Sequence, residues 1–313
     1  MSNLTARILV ALVGIPLILL LTVAGGFYFF GLVAIVSGLA LHEYYDLAAA
    51  KGFRPQRALG LAFGFCINAA FLHKKLTLVV LSWISESGGS LPLPSMTQML
   101  VILFLLFVPL ILLVELFRSG GALGNTAATL SGVCYVSISF GALVGVRELF
   151  VPGDFPFYSY FNLVGAAIPD DLVRAVYQWG ASTVVSIFAA IWICDSLAYF
   201  VGRSLGRHKL FERVSPNKTW EGAIAGFIGA LATFVIARTI ALPYMSLPGA
   251  IVCGSVVGLF GQVGDMVESW LKRDAGVKDS STLIPGHGGI LDRFDSLIFV
   301  SPLLFFYLDF IVF

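Results

Sequence analysis

The chain has 313 residues, with 19 Lys or Arg against 18 Asp or Glu, for a net charge of +1. Charged residues make up only 12% and hydrophobic residues 58%, and the mean hydropathy is +0.93. Soluble domains carry about 25% charged residues, and no single water-soluble core could bury this much apolar surface. Disorder, a collagen-like chain and nucleic-acid binding are excluded on the same grounds. The composition is that of an integral membrane protein.

In chain order, a helical span needs about 20 mainly apolar residues. About nine segments qualify: 7–26, 27–49, 57–73, 99–117, 122–146, 182–203, 221–243, 247–270 and 290–313. The third is short unless it continues through Leu76–Ile84. The expected fold is therefore all-α and polytopic, with about nine transmembrane helices in a range of eight to ten. The runs are continuous and do not alternate, which argues against a membrane barrel. The first segment reads as a retained span rather than a cleaved signal, because another span follows it at once. Cys66, Cys134, Cys194 and Cys253 lie singly in apolar runs, so they read as small hydrophobes, with no disulfide framework or zinc site.

With the N-terminus in the cytoplasm, all but Lys74, Lys75, Arg147, Arg174 and Arg238 of the 19 basic residues fall on the inner side. The positive-inside rule then predicts an N-in, C-out chain. Residues 1–180 read as an N-terminal transmembrane region with packing, dimer and lipid-access roles. Residues 181–313 read as the catalytic region. The segment 151–179, rich in Pro and aromatics, is expected to form an interfacial stretch with a short helix on the membrane.

Ionisable groups inside spans cost roughly 2.5–3.5 kcal/mol each at mid-bilayer and mark functional paths. Three spans carry them. Asp195, Tyr199 and Gly202 share one helix face, with Arg203 about 12 Å further on at the inner end. Asp265, Glu268, Ser269 and Lys272 follow i, i+3, i+4, i+7 and share another face. Asp292, Asp295 and Ser296 repeat that spacing at the start of the last helix. Carboxylates from three spans thus lie at similar depth on one side. The alternative reading is that these acids pair with Lys and Arg and only lock helices together.

Two loops face the same side. The first, Arg203 to Glu221, ends in Ser215-Pro216-Asn217-Lys218-Thr219-Trp220-Glu221-Gly222. It reads as a helix start, with Ser215 as cap and Pro216 at the first helical position, suited to a phosphate. The second, Lys272 to Gly289, contains Arg273 and Lys278 and closes with Pro285-Gly286-His287-Gly288-Gly289 before Asp292-Arg293. Its glycines would let backbone N–H groups approach a ligand. Carboxylates and cations together point to phosphoryl or nucleotidyl transfer, with Asp oxygens holding Mg²⁺ and basic residues neutralising phosphate.

The stretch Ser269-x-x-Lys272-Arg273-x4-Lys278-Asp279, followed by His287-Gly288-Gly289-x-x-Asp292-Arg293-x-Asp295, resembles the signature of the CDP-diacylglycerol synthases (phosphatidate cytidylyltransferases). Ser-Pro-Asn-Lys-Thr-Trp-Glu-Gly at 215–222 and Asp195…Tyr199…Gly202 resemble two further segments of that family. The likeness covers roughly 190–300; upstream there is only a weak echo at Glu43-Tyr44-Tyr45. The resemblance implies transfer of CMP from CTP to phosphatidate with a divalent metal, Mg²⁺ or another. It implies metal ligation by Asp265 and Asp292, supported by Glu268 and Asp295. It implies phosphate contacts from Lys218, Lys272, Arg273, Lys278 and Arg293, hydroxyl contacts from Ser215 and Thr219, and a loop or leaving-group role for His287. Asp195, Tyr199, Arg203, Asn217, Glu221, Ser269, Gly288 and Gly289 are expected at the substrate. The partners are then CTP, phosphatidate and the bilayer, with a homodimer by analogy alone. The short polar N-terminus favours a bacterial cytoplasmic membrane. A CTP-using polyprenol kinase and an ion-coupled transporter are the rival readings, and a structural scaffold is a third. The transporter predicts acids through the whole membrane thickness and matched halves, neither of which the sequence has.

Overall fold

A computed structural model describes residues 3–86, 93–152, 155–161, 168–283 and 288–312, and for 3–9, 85 and 86 the backbone alone. It is a helical bundle. α1 (Asn3–Ala24), α2 (Gly26–Ala50), α3 (Arg57–Ala70), α4 (His73–Glu86) and α5 (Met96–Leu116) are followed by α6 (Ala122–Gly132). A π-helical turn, Val133–Ser137, joins α6 to α7 (Ile138–Arg147). Then come α8 (Phe157–Tyr160) and α9 (Asp170–Leu205), the strands β1 (Lys209–Phe211) and β2 (Ser215–Thr219), and α10 (Trp220–Ile240), α11 (Leu247–Asp274) and α12 (Leu291–Tyr307).

Among the described residues seven helices are long and apolar enough to cross a membrane, or eight if one bent pair counts as a span. Eight lies within the expected range of eight to ten and is one below the central count of nine. The expected third span breaks between α3 and α4, which meet at 77°. The bend carries the polar start of α4 to other helix ends: Lys74 lies 3.9 Å from Asp309, and Lys75 sits over the Tyr177 ring. The described apolar part of α1, Val10–Ala24, is shorter than a full span. The exposed surface confirms the solvent. α5 buries only Phe107, Ile111 and Glu115 and exposes Leu105, Leu106, Leu112 and Leu113, a face that only lipid satisfies.

The sixth span starts at Asp170, not 182, because Asp170, Asp171 and Arg174 hide a helical segment from hydropathy. Those acids in the first turn suit the positive end of the helix. The aromatic segment before it does contain a short helix. Phe155 and Phe157 are buried, with Phe155 packed on Phe150 and Trp179, while Tyr158 and Tyr160 stay exposed.

Small residues bring α9 to α12 into close contact. A Cβ on Gly254 or Gly258 would strike the α10 backbone at Leu231 or Phe227, and one on Gly264 would strike the Asp295 carbonyl. This packing sets the acid-bearing faces of α9, α11 and α12 around one space. Polar groups gather at both ends of the bundle. At the cavity end, Lys51 after α2 pairs with Asp274 closing α11 at 3.2 Å. At the far end, Arg147 and Glu148 clasp the turn between α1 and α2.

Candidate active site

The polar and charged lining of the cavity, of about 870 Å³, comes mainly from four elements. α9 contributes Asp195, Tyr199 and Arg203; β2 contributes Asn217, Lys218 and Thr219; α11 contributes Asp265, Glu268 and Lys272; α12 contributes Asp292, Arg293 and Asp295. Most of the residues expected at the site are thus brought together.

The segment 215–219 is a strand, which corrects the expected helix start. β2 pairs antiparallel with β1, Lys209 opposite Thr219 and Phe211 opposite Ser215. Pro216 suits a strand edge as well as a helix start, so the sequence alone misled. The cap is Thr219, extended and accepting the Gly222 N–H at 3.2 Å. Ser215 consequently lies away from the cavity lining. Glu221 instead accepts from His208, whose Nδ1 is 2.6 Å away, and so ties the hairpin to α10.

Two lysines organise the charges. Lys218 Nζ lies 2.6 Å from Asp265, which joins β2 to α11. Asp195 and Asp295 line the same cavity as Asp265 and Lys218. Lys272 bridges Glu268 and Asp292, at 2.6 Å to each. Ion pairing between helices, the alternative reading of these acids, is therefore realised within the cavity itself. Asp292 also accepts the Ser280 and Gly289 N–H groups at 3.0 and 2.7 Å. Gly289 thus does point a backbone donor at an acid-rich helix start, and Gly288 takes a positive φ of 81° just before it. A side chain on Gly288 would also run into Asp292.

The remaining expected residues lie at the margin. Ser269 is 3.5 Å from Asp265. Arg273 donates to the Val277 carbonyl at the end of α11, and Lys278 is exposed on the following loop. His287 lies outside the described residues. One residue, Gln262, went unread in the sequence, and two more were noted there only as parts of motifs. Gln262 is one turn before Asp265 on the same face, and its amide holds the Ala223 carbonyl. Asp279 lines the cavity. Glu43 of α2 stood in the sequence only within the weak echo Glu43-Tyr44-Tyr45, with no role assigned. The four cysteines are free.

The donors here are carboxylate oxygens, the kind a magnesium ion would take. Among the described residues no three acidic or imidazole groups converge closely enough to enclose one unaided. Magnesium, however, usually takes one or two carboxylates and completes its shell with water and substrate phosphates. Asp195, Asp265 and Asp295 offer carboxylate oxygens to the same cavity. The Glu268 carboxylate, 1% exposed, is beside Lys272 yet accepts no well-directed hydrogen bond among the described residues.

A sequence model of the cytidylyltransferase family matches residues 5–311. The chain is 33% identical to a phosphatidate cytidylyltransferase of Synechocystis sp., over 97% of this chain and 96% of that protein. It is 35% identical to one from Brucella abortus, over 98% and 94% of the two chains. A stretch of 139 residues is 47% identical to the Bacillus subtilis protein of the same name, covering 44% of this chain and 51% of that one.

Proposed function

The chain belongs to the cytidylyltransferase family, and from that premise we propose that it transfers CMP from CTP to phosphatidate, giving CDP-diacylglycerol and pyrophosphate. The observation that carries this reading is the meeting of acids and lysines from α9, β2, α11 and α12 in one cavity at the end of a membrane bundle.

The nucleophile is a lipid phosphate oxygen. Its second ionisation lies near pKa ~6, so no general base is required. The new bond joins that oxygen to the α-phosphorus of CTP, and the bond to the β-phosphate oxygen breaks. The obstacle is repulsion between two anions. Lys218, Lys272 and Arg293 supply positive charge at the cavity wall. Arg203, stacked near Tyr199 and donating to its hydroxyl at 2.8 Å, stands where a lipid phosphate would enter from the side. Asp265 and Asp292, supported by Asp295 and Glu268, are the residues that would hold Mg²⁺, with Asp195 beside them. A bound divalent ion would screen the triphosphate and stabilise the departing pyrophosphate.

The reading extends to the whole chain. Residues 181–313 carry the chemistry, and 1–180 supply packing and, by analogy, a homodimer surface. Arg203 lines the cavity and Lys51 pairs with Asp274 at the end of α11, and basic residues on this side support a cytoplasmic orientation in a bacterial inner membrane. Purified protein in nanodiscs with CTP and magnesium is expected to release pyrophosphate only when phosphatidate is present, one per lipid converted. EDTA should abolish the release, and excess magnesium should restore it. Equal release without phosphatidate would refute the assignment.

A further inference from the structure

The site is also held from outside the elements that line it. Glu43 of α2 does not line the cavity and is 3% exposed, yet its carboxylate accepts four hydrogen bonds. Oε1 takes the Ser281 hydroxyl at 2.6 Å and the Ile290 N–H at 2.9 Å. Oε2 takes the Ser280 hydroxyl and the Leu291 N–H, both at 2.8 Å. α12 needs such a partner. Ile290 before it is already helical and provides no side-chain cap, so the first N–H groups would otherwise go unmatched. A carboxylate is the favoured group there, and the chain supplies it from more than 240 positions upstream.

The donors lie on both flanks of the segment 282–289, so a single carboxylate ties α2 to the loop and to the start of α12. Ser280 carries the constraint onward. Its N–H donates to Asp292 Oδ2 at 3.0 Å, and its hydroxyl lies 3.1 Å from the same oxygen. Gly289 is confined as well, since a Cβ there would overlap the Ser280 hydroxyl and the Glu43 carboxylate. Resting on the cytidylyl-transfer reading, we propose that Glu43 is a positioning residue that holds the Gly289 N–H and Asp292 in fixed relation to Lys272 without touching substrate. The N-terminal region thereby takes part in the reaction geometry.

The test uses full-length protein in nanodiscs with Glu43→Gln, Ser281→Ala and Ser281→Thr. The glutamine keeps the shape and one acceptor oxygen, and turns an amide N–H₂ towards two of the four donors. Glu43→Gln is expected to lower kcat by about 10- to 100-fold, the usual effect of losing a group that orients a ligand, with little change in the KM for CTP. Amide exchange should rise at 280–283 and 288–292 and stay unchanged in α9 and α10. Ser281→Ala should show a smaller loss of the same kind, and Ser281→Thr, which keeps the hydroxyl, should restore the rate. A wild-type kcat in folded Glu43→Gln overturns the proposal, as does exchange that rises throughout the protein. If Glu43→Gln does not fold, Ser281→Ala decides, and wild-type rate and exchange there overturn it. Failure of the functional reading would look different. Wild-type protein would then make no CDP-diacylglycerol, while the exchange arm would still show whether Glu43 holds the loop.

Discussion

Asp265→Asn and Asp292→Asn are expected to fold and insert normally and to lose CDP-diacylglycerol synthesis by about 10²–10³-fold each, the scale on which removing one preorganised electrostatic group acts. The substitutions keep size and remove charge. At position 265 the change takes away the anion that Lys218 faces at 2.6 Å, so the lysine is free to move and a cation ligand is lost. At position 292 the cost has a second source. The native carboxylate accepts from Lys272, the Ser280 N–H and the Gly289 N–H, whereas an amide nitrogen would turn donors against donors. Lys51→Ala serves as the control. It removes an exposed ion pair with Asp274 at the same end of the bundle, and such pairs contribute only about 0–1 kcal/mol. Initial rates of lipid product formation, measured on variants with wild-type thermal unfolding, check this. A wild-type rate in either Asp variant would remove that residue from the reaction.

The largest effect on stability is expected at the opposite end. Arg147 is fully buried. Its guanidinium donates to the Thr22, Val23 and Tyr177 carbonyls, lies over the Tyr177 ring and pairs with Glu148 at 3.8 Å. Glu148 in turn accepts the Gly26 N–H at 2.7 Å and the Tyr177 hydroxyl. Two adjacent residues therefore cap the end of α1 and the start of α2 together, each with the charge that suits its helix end. Arg147→Ala leaves a buried carboxylate without its cation and takes the guanidinium away from three carbonyls, of which Val23 keeps the Gln178 amide at 3.3 Å. The expected destabilisation is about 3–5 kcal/mol. Arg147→Lys should recover only part of it, because an ammonium cannot match the planar fork. Unfolding in detergent, followed by near-ultraviolet circular dichroism, measures this directly. An unchanged midpoint would show that the clasp contributes nothing.

The helical architecture was legible because lipid leaves few options for a continuous apolar run. The expected start of the span at 247 coincides with that of α11, and the run expected from 221 begins within one residue of α10. The shared depth of the acids was legible too, since i, i+3, i+4 spacing fixes a face whatever the neighbours do. What the sequence could not show was which charge meets which. That Lys218 faces Asp265 while Lys272 serves Glu268 and Asp292 depends on how α10, α11 and α12 are rotated against each other, and that rotation is set by glycines packing on distant backbone. The hairpin at 209–219 was hidden for a similar reason. A three-residue strand has no periodicity to read, and its pairing is fixed by a partner further along the chain. Glu43 stood in the sequence only within the weak echo Glu43-Tyr44-Tyr45. Its meaning depended on contacts with residues about 240 positions away.

The central claim is that a cytidylyl group, rather than a terminal phosphoryl group, passes to the lipid in this cavity. The most direct measurement supplies CTP labelled with ³²P at either the α or the γ position, together with phosphatidate and magnesium, and follows the label. The account predicts that the α label enters the lipid and the γ label leaves as pyrophosphate. The γ label in the lipid would contradict it and identify a kinase.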